Sequence, residues 1–156
     1  RVSLPAGFLQ QILGFRPPTR IGVTWCEGDS MQPTIENGDL IIYEPIDQIS
    51  DSGVYVIHLQ HGSVVKRVQP RADGSYRIIS DNTYHDYIND TLLPTESDHE
   101  YTMQETGRSA TMHPVGRVLF PDRDTERIHI KQAGQIIHSA ISGDGSPSHS
   151  VTASTR

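Results

Sequence analysis

The 156-residue chain has a single cysteine, Cys26. No intrachain disulfide can form, so the cross-linked small-domain class is excluded and nothing marks the chain as secreted. Lysine is almost as scarce: Lys66 and Lys131 stand against eleven arginines. Basic residues number 13 and acidic residues 19, giving a formal net charge of −6. Such a chain is a poor stand-alone ligand for nucleic acid, which needs clustered Lys and Arg to displace counterions. No apolar run approaches the ~20 residues of a membrane span. No signal-peptide pattern opens the chain, and it does not begin with Met, so a fragment of a cytoplasmic protein is expected. No phosphate-cradling loop is present, because "GDGSPS" lacks the necessary lysine. The eight histidines are scattered. His58 and His61 are three apart, which in a strand puts them on opposite faces. Neither a metal site nor a cofactor is expected.

What is present is a mainly β pattern with one short helix. In "LPAGFLQQILG", Leu4, Phe8, Leu9, Ile12 and Leu13 share a helical face, and Gly14 can end the helix. With Arg16-Pro17-Pro18 as a linker, residues 1–18 form an N-terminal helix and connection. A domain over 19–138 follows. "RIGVTWC" alternates, with Ile21, Val23 and Trp25 on one face. "DLIIYEP" is an apolar run closed by Pro45. "GVYVIHLQHGSVVKRVQ" reads as a hairpin turning at His61-Gly62. "GSYRIIS", "HPVGRVLF" and "ERIHIKQ" are further strands. Many short strands parted by Gly, Asp and Pro turns indicate an all-β or mostly β domain. Two stretches stand apart. Residues 90–112 are long and polar and read as an insertion loop. Residues 139–156 are rich in Ser, Thr and Gly and read as a disordered tail.

The chemistry concentrates in "CEGDSMQPTIENGDLII" and "SVVKRV". Ser30 sits on a Gly-Asp turn. By alternation Lys66 shares a strand face with Val64 and Val68. Burying an ammonium is costly, and the cost falls if the amine is neutral. An ordinary lysine is neutral in about one molecule in 2,500 at pH 7. Burial can lower its pKa by roughly 3–5 units, and a neutral amine is a competent general base. A serine hydroxyl needs such a base to become a nucleophile, and Ser–Lys pairs are a known arrangement. Taken alone, Ser30 reads as a turn-capping serine and Lys66 as an edge lysine reaching for water. The 36 residues between them leave room for the chain to return. Cys26 ends an apolar strand with no histidine near it in sequence, so it reads as a buried structural thiol. Asp29, Asp81 and Asn82 read as turn-formers.

"GDSMQPTIENGDLIIYEP", then "GSVVKRVQ", "IISDNTYHDY" and "VGRVLF", in that order, resemble the C-terminal domain of the LexA, UmuD and phage-repressor family of self-cleaving serine peptidases. The "DG-YRIISDN-Y" pattern is closest to the phage-repressor branch. The resemblance implies a LexA-like, β-clip fold that forms a homodimer. It implies that Ser30 is the nucleophile and Lys66 the general base. Backbone N–H groups of Ser30 and Met31 would hold the oxyanion. Asp29 would support the turn, and Gly28 and Gly38 would supply turn conformations. The reaction implied is hydrolysis of one bond, usually Ala-Gly or Cys-Gly, in the protein's own linker, stimulated by a RecA filament. Operator DNA would be bound by a helix-turn-helix that these residues lack. The one Ala-Gly upstream of Ser30 is Ala6-Gly7, which falls in the expected helix, so the cleaved bond is expected farther upstream. Two alternatives remain. One is a catalytically silent dimerisation module controlled by an antirepressor. The other is a signal-peptidase-like serine protease, which shares "S-M-x-P-T", "GD" and "KR" but needs a membrane anchor that is not seen.

Overall fold

The computed structural model describes residues 6–84, 87, 89–121 and 150–152. Helix α1 spans Ala6–Leu13. It ends as expected: Gly14 takes a φ of +75° and donates its N–H to the Gln10 carbonyl at 2.8 Å. A glycine adopts that left-handed conformation without a Cβ penalty. Leu9 is buried against Leu40, Ile42 and Phe120, with Ile21, Val23 and Trp25 packed around them. The apolar face of the helix and the alternation of "RIGVTWC" therefore meet in one layer. No described helix is long and apolar enough to cross a membrane.

Among the described residues nine strands follow: β1 Gly22–Glu27, β2 Leu40–Pro45, β3 Gly53–Leu59, β4 Gly62–Pro70, β5 Tyr76–Ile79, β6 Asp90–Pro94, β7 Glu100–Met103, β8 Ser109–Phe120 and β9 Ser150–Thr152. Their hydrogen-bonded order is β2-β1-β9-β4-β3-β8-β7-β6-β5, with β2 also pairing β8 and β4 also pairing β5. Those two extra pairings close the sheet twice. One ring contains β3 to β8. The other contains β1, β2, β8, β3, β4 and β9. The rings share a three-stranded wall, β4-β3-β8.

The wall explains why "VYVI" and "SVV" are nearly continuous apolar runs. Each face of the wall looks into a core. Tyr55, Ile57, Val64, Val68, Ala110 and Met112 line one. Val56 and Val65 line the other, beside Cys26, Met31, Ile35 and Ile41. The β3–β4 hairpin forms as expected, but its last ladder pair is Leu59↔Gly62. The turn is therefore Gln60-His61, one residue earlier than "His61-Gly62", because Gly62 is already paired.

Residues 90–112 are not an insertion loop. They form β6, β7 and the start of β8, in register with β5 and each other. Leu92, Ala110 and Met112 are buried in the first core, and the polar Asp90 and Thr91 are buried as well. Within 139–156, read as a disordered tail, Ser150–Thr152 forms β9; the rest of that stretch lies outside the described residues. So does the strand expected at "ERIHIKQ".

Tyr43 of β2 lies between two glycines. A Cβ built on Gly22 would stand 2.1 Å from the ring on one side, and one on Gly116 would stand 2.1 Å from it on the other. The Gly116 Cβ would also meet the Glu44 carbonyl oxygen at 2.9 Å. Backbone cannot swing away as a side-chain tip can. Gly116→Ala should therefore lose about 1–3 kcal/mol of stability by overpacking, read as a lower denaturant midpoint at unchanged slope.

Candidate active site

The Ser30 turn is shaped by its backbone. Gly28 has a φ of +93° and Gly38 one of +87°, conformations that glycine adopts freely. The ends of the turn are tied: the Gly38 N–H donates to the Cys26 carbonyl and the Cys26 N–H to the Asp39 carbonyl, both at 2.8 Å. The Gly28 N–H donates to Asn37 Oδ1. Met31 and Ile35 are fully buried and anchor the segment in the second core. The turn that carries Ser30 is thus held from both sides rather than left as an open loop.

Lys66 reaches this turn from the middle of the wall. It pairs across the hairpin with Tyr55 and is only 1% exposed. The reading of an edge lysine extended into water does not hold. Its Nζ lies 2.9 Å from Ser30 Oγ and 2.9 Å from Ser80 Oγ. Ser30 is itself fully buried. Burial pushes the amine down from the ordinary 10.5 to about 8, opposed by the nearby Cys26. At that value about one amine in ten is neutral at pH 7, against roughly one in 2,500 for an ordinary lysine. The arrangement can do one thing chemically: a neutral amine within hydrogen-bond reach of a serine can take its proton.

Three residues that the sequence suggested were turn-formers instead clamp the site. Asn82 donates its backbone N–H to the Ser30 carbonyl at 2.9 Å and its Nδ2 to the Asp29 carbonyl at 2.8 Å. Asp81 receives two hydrogen bonds from Arg67, from Nε and Nη2, each at 2.8 Å. It also receives the Thr34 hydroxyl at 2.5 Å. Asp81 therefore ties the strand of Lys66 to the segment that follows Ser30. The Asp29 side chain does not cap its own turn; it accepts the Tyr87 hydroxyl. Ser80, missed in the sequence, continues β5, where Arg67 pairs with Ile79, and so arrives beside Lys66. Its N–H is held by Asn89 Oδ1 at 2.7 Å.

Cys26 is 1% exposed. Burial and the carboxylates of Asp39 and Glu27 push its thiol up to about 12. A thiol so far from ionisation is no nucleophile at neutral pH, which agrees with the structural reading. Met31 contributes its side chain to the core. Among the described residues, the backbone N–H groups of Ser30 and Met31 engage no acceptor.

No curated protein matches the chain. The sequence model of a family described as Peptidase S24-like matches residues 2–104, about two thirds of the chain, and takes in the Ser30 turn, the Lys66 strand and the Ser80–Asn82 clamp. With that span matched and a mainly β fold around it, the chain belongs to the Peptidase S24-like family and is a LexA-like peptidase domain.

Proposed function

We propose that Ser30 and Lys66 form a catalytic dyad that hydrolyses a single peptide bond in the linker upstream of this domain. The observation that carries the proposal is the 2.9 Å contact between a buried serine and a buried lysine whose pKa is lowered to about 8. Neutral Lys66 takes the Ser30 proton as Oγ attacks the scissile carbonyl carbon. The N–H groups of Ser30 and Met31 receive the developing oxyanion. The C–N bond then breaks, and the Lys66 ammonium gives its proton to the leaving amine. Water, deprotonated by Lys66, attacks the acyl-serine; the bond from the acyl carbon to Ser30 Oγ breaks, the Lys66 ammonium returns a proton to Oγ, and the new carboxylate leaves. Ser80 fixes the amine for both halves of the reaction, and the Asn82 clamp fixes the turn.

In this reading the domain belongs to a phage-type transcriptional repressor. It dimerises two upstream DNA-binding heads, and cleavage separates the heads from the dimer. Family resemblance supplies RecA on single-stranded DNA as the stimulus. The acidic composition supports placing the DNA contact outside these residues.

The test is the intact mass of a chain that carries its upstream linker, incubated between pH 6 and 10 beside Ser30→Ala. The wild type should give two fragments and Ser30→Ala none. The rate should rise about tenfold per pH unit below the Lys66 pKa of about 8 and level off above it. An intact wild type at every pH, with activated RecA added, would leave a dimerisation domain without cleavage.

A further inference from the structure

Strand β9 is unlike the other strands. It runs parallel to β1, with Trp25↔Ser150, Cys26↔Val151 and Glu27↔Thr152. On its other side it runs parallel to β4, with Val64↔Thr152. Every other ladder among the described residues is antiparallel. β1 and β4 meet through β9. They stand two strand spacings apart, about 9.6 Å. Without its occupant, the gap is one strand wide and edged on both sides by backbone donors and acceptors. Such an edge is a template for an extended peptide.

Both walls of the gap lead to the same place. Beyond Glu27, β1 runs into the Gly28–Ser30 turn. Beyond Val64, β4 reaches Lys66 two residues later. A strand lying parallel to both therefore brings a bond to the Ser30–Lys66 pair two or three residues past the position that Thr152 holds. An occupant and a substrate strand cannot share this gap.

We propose that the β1/β4 gap is the slot for the extended substrate peptide, and that Ser150–Thr152 of this same chain is a resident ligand that the substrate strand must displace. The proposal rests on the dyad reading above and adds a regulator to it. The resident segment suits such a role. Val151 and Thr152 are β-branched and favour the extended state. Three residues make few ladder bonds, so the segment can exchange.

The experiment uses the full chain with its upstream linker and the substitution Val151→Pro, which removes a ladder N–H. Hydrogen exchange at residues 25–27 and 64 should quicken at least tenfold, with the β3–β4 hairpin still protected as the internal control for folding. Linker cleavage should accelerate about fivefold. Val151→Gly, which weakens the strand but keeps its N–H, should shift both in the same direction by less. The synthetic peptide HSVTASTR, added to the Val151→Pro chain, should restore protection at 25–27 and slow cleavage; a scrambled peptide should do neither. Unchanged exchange in Val151→Pro overturns the resident-ligand assignment. Faster exchange with unchanged cleavage, in a chain whose cleavage needs Ser30, overturns the substrate-slot assignment while leaving the dyad intact. If the wild type does not cleave at all, the dyad reading fails. The exchange and peptide results then decide the slot alone: restored protection supports it and no protection overturns it.

Discussion

Replacing Lys66 with methionine should make the protein more stable at pH 7 and less stable at pH 10.5. In the folded chain Lys66 loses its proton at about 8, against an ordinary 10.5. Between those values the unfolded chain binds more protons, so wild-type stability climbs with pH across that window and is flat on either side as far as this group is concerned. The gap corresponds to about 3 kcal/mol. Below pH 8 the whole of that penalty is present; above 10.5 it has gone. Methionine has a similar length, fills the same space and carries no charge. It also forfeits the hydrogen bonds that Nζ makes to Ser30 and Ser80, each worth about 1 kcal/mol. The net gain at pH 7 is therefore at most about 1 kcal/mol, and the net loss at high pH at least about 2 kcal/mol. Denaturant melts of the two proteins from pH 6 to 10.5 read the difference directly, and tyrosine titration cancels between them. The same substitution should slow linker cleavage at least about 1,000-fold, since removing a catalytic base commonly does so. A stability difference that keeps one sign across the whole range would mean that Lys66 is neutral throughout or solvated throughout.

The second large effect is expected at Asp81. Its side chain is 3% exposed, while that of Arg67 is 26% exposed. Asp81→Ala removes at least three hydrogen bonds and strands a guanidinium that can reach some water. Breaking a fully buried pair costs about 3–5 kcal/mol; the partial exposure of Arg67 brings the expectation to about 2–3 kcal/mol. Asp81→Asn keeps the shape and should lose about half as much, again about 1 kcal/mol or a little more. Because Asp81 joins Thr34 to the strand of Lys66, the alanine variant should also slow cleavage about 10–100-fold, as small misplacements of a reacting pair do. Its pH midpoint should stay near that of the wild type, because Lys66 keeps its burial. A loss below about 1 kcal/mol would place the pair among ordinary surface ion pairs.

The contrast between Lys66 and Asp81 shows what can be read along a chain. Lys66 was legible because period-two alternation put it beside Val64 and Val68 on a strand with a clear apolar face. Ser30 was legible from its Gly-Asp turn and from the motifs that follow it in order. Asp81 and Asn82 sit in the quoted "SDN", yet their partners Thr34 and Asp29 are 47 and 53 residues away. A local pattern carries no sign of such a distance, so they passed for turn residues. β6 and β7 were missed for another reason. They are short, and β6 opens with two polar residues, Asp90 and Thr91, that are themselves buried, so their composition is that of a loop. β9 is three polar or β-branched residues whose pairing is entirely long-range. Its role is visible only once two other strands are in place.

The shared wall also sets an order in time. Ser30, Lys66, Ser80 and Asn82 are all made before residue 90. Yet the wall that buries the amine needs β8, at Ser109–Phe120, which pairs with both β2 and β3. A growing chain that lacks β8 leaves one flank of β3 bare and the first core, on whose face of β4 Lys66 stands, without Ala110 and Met112. Its lysine stays hydrated and holds its proton as an ordinary lysine does. On the proposed dyad reading, completion of the domain therefore switches the base on. On that reading a newly made protein does not cut itself until the last strand of the wall is in place.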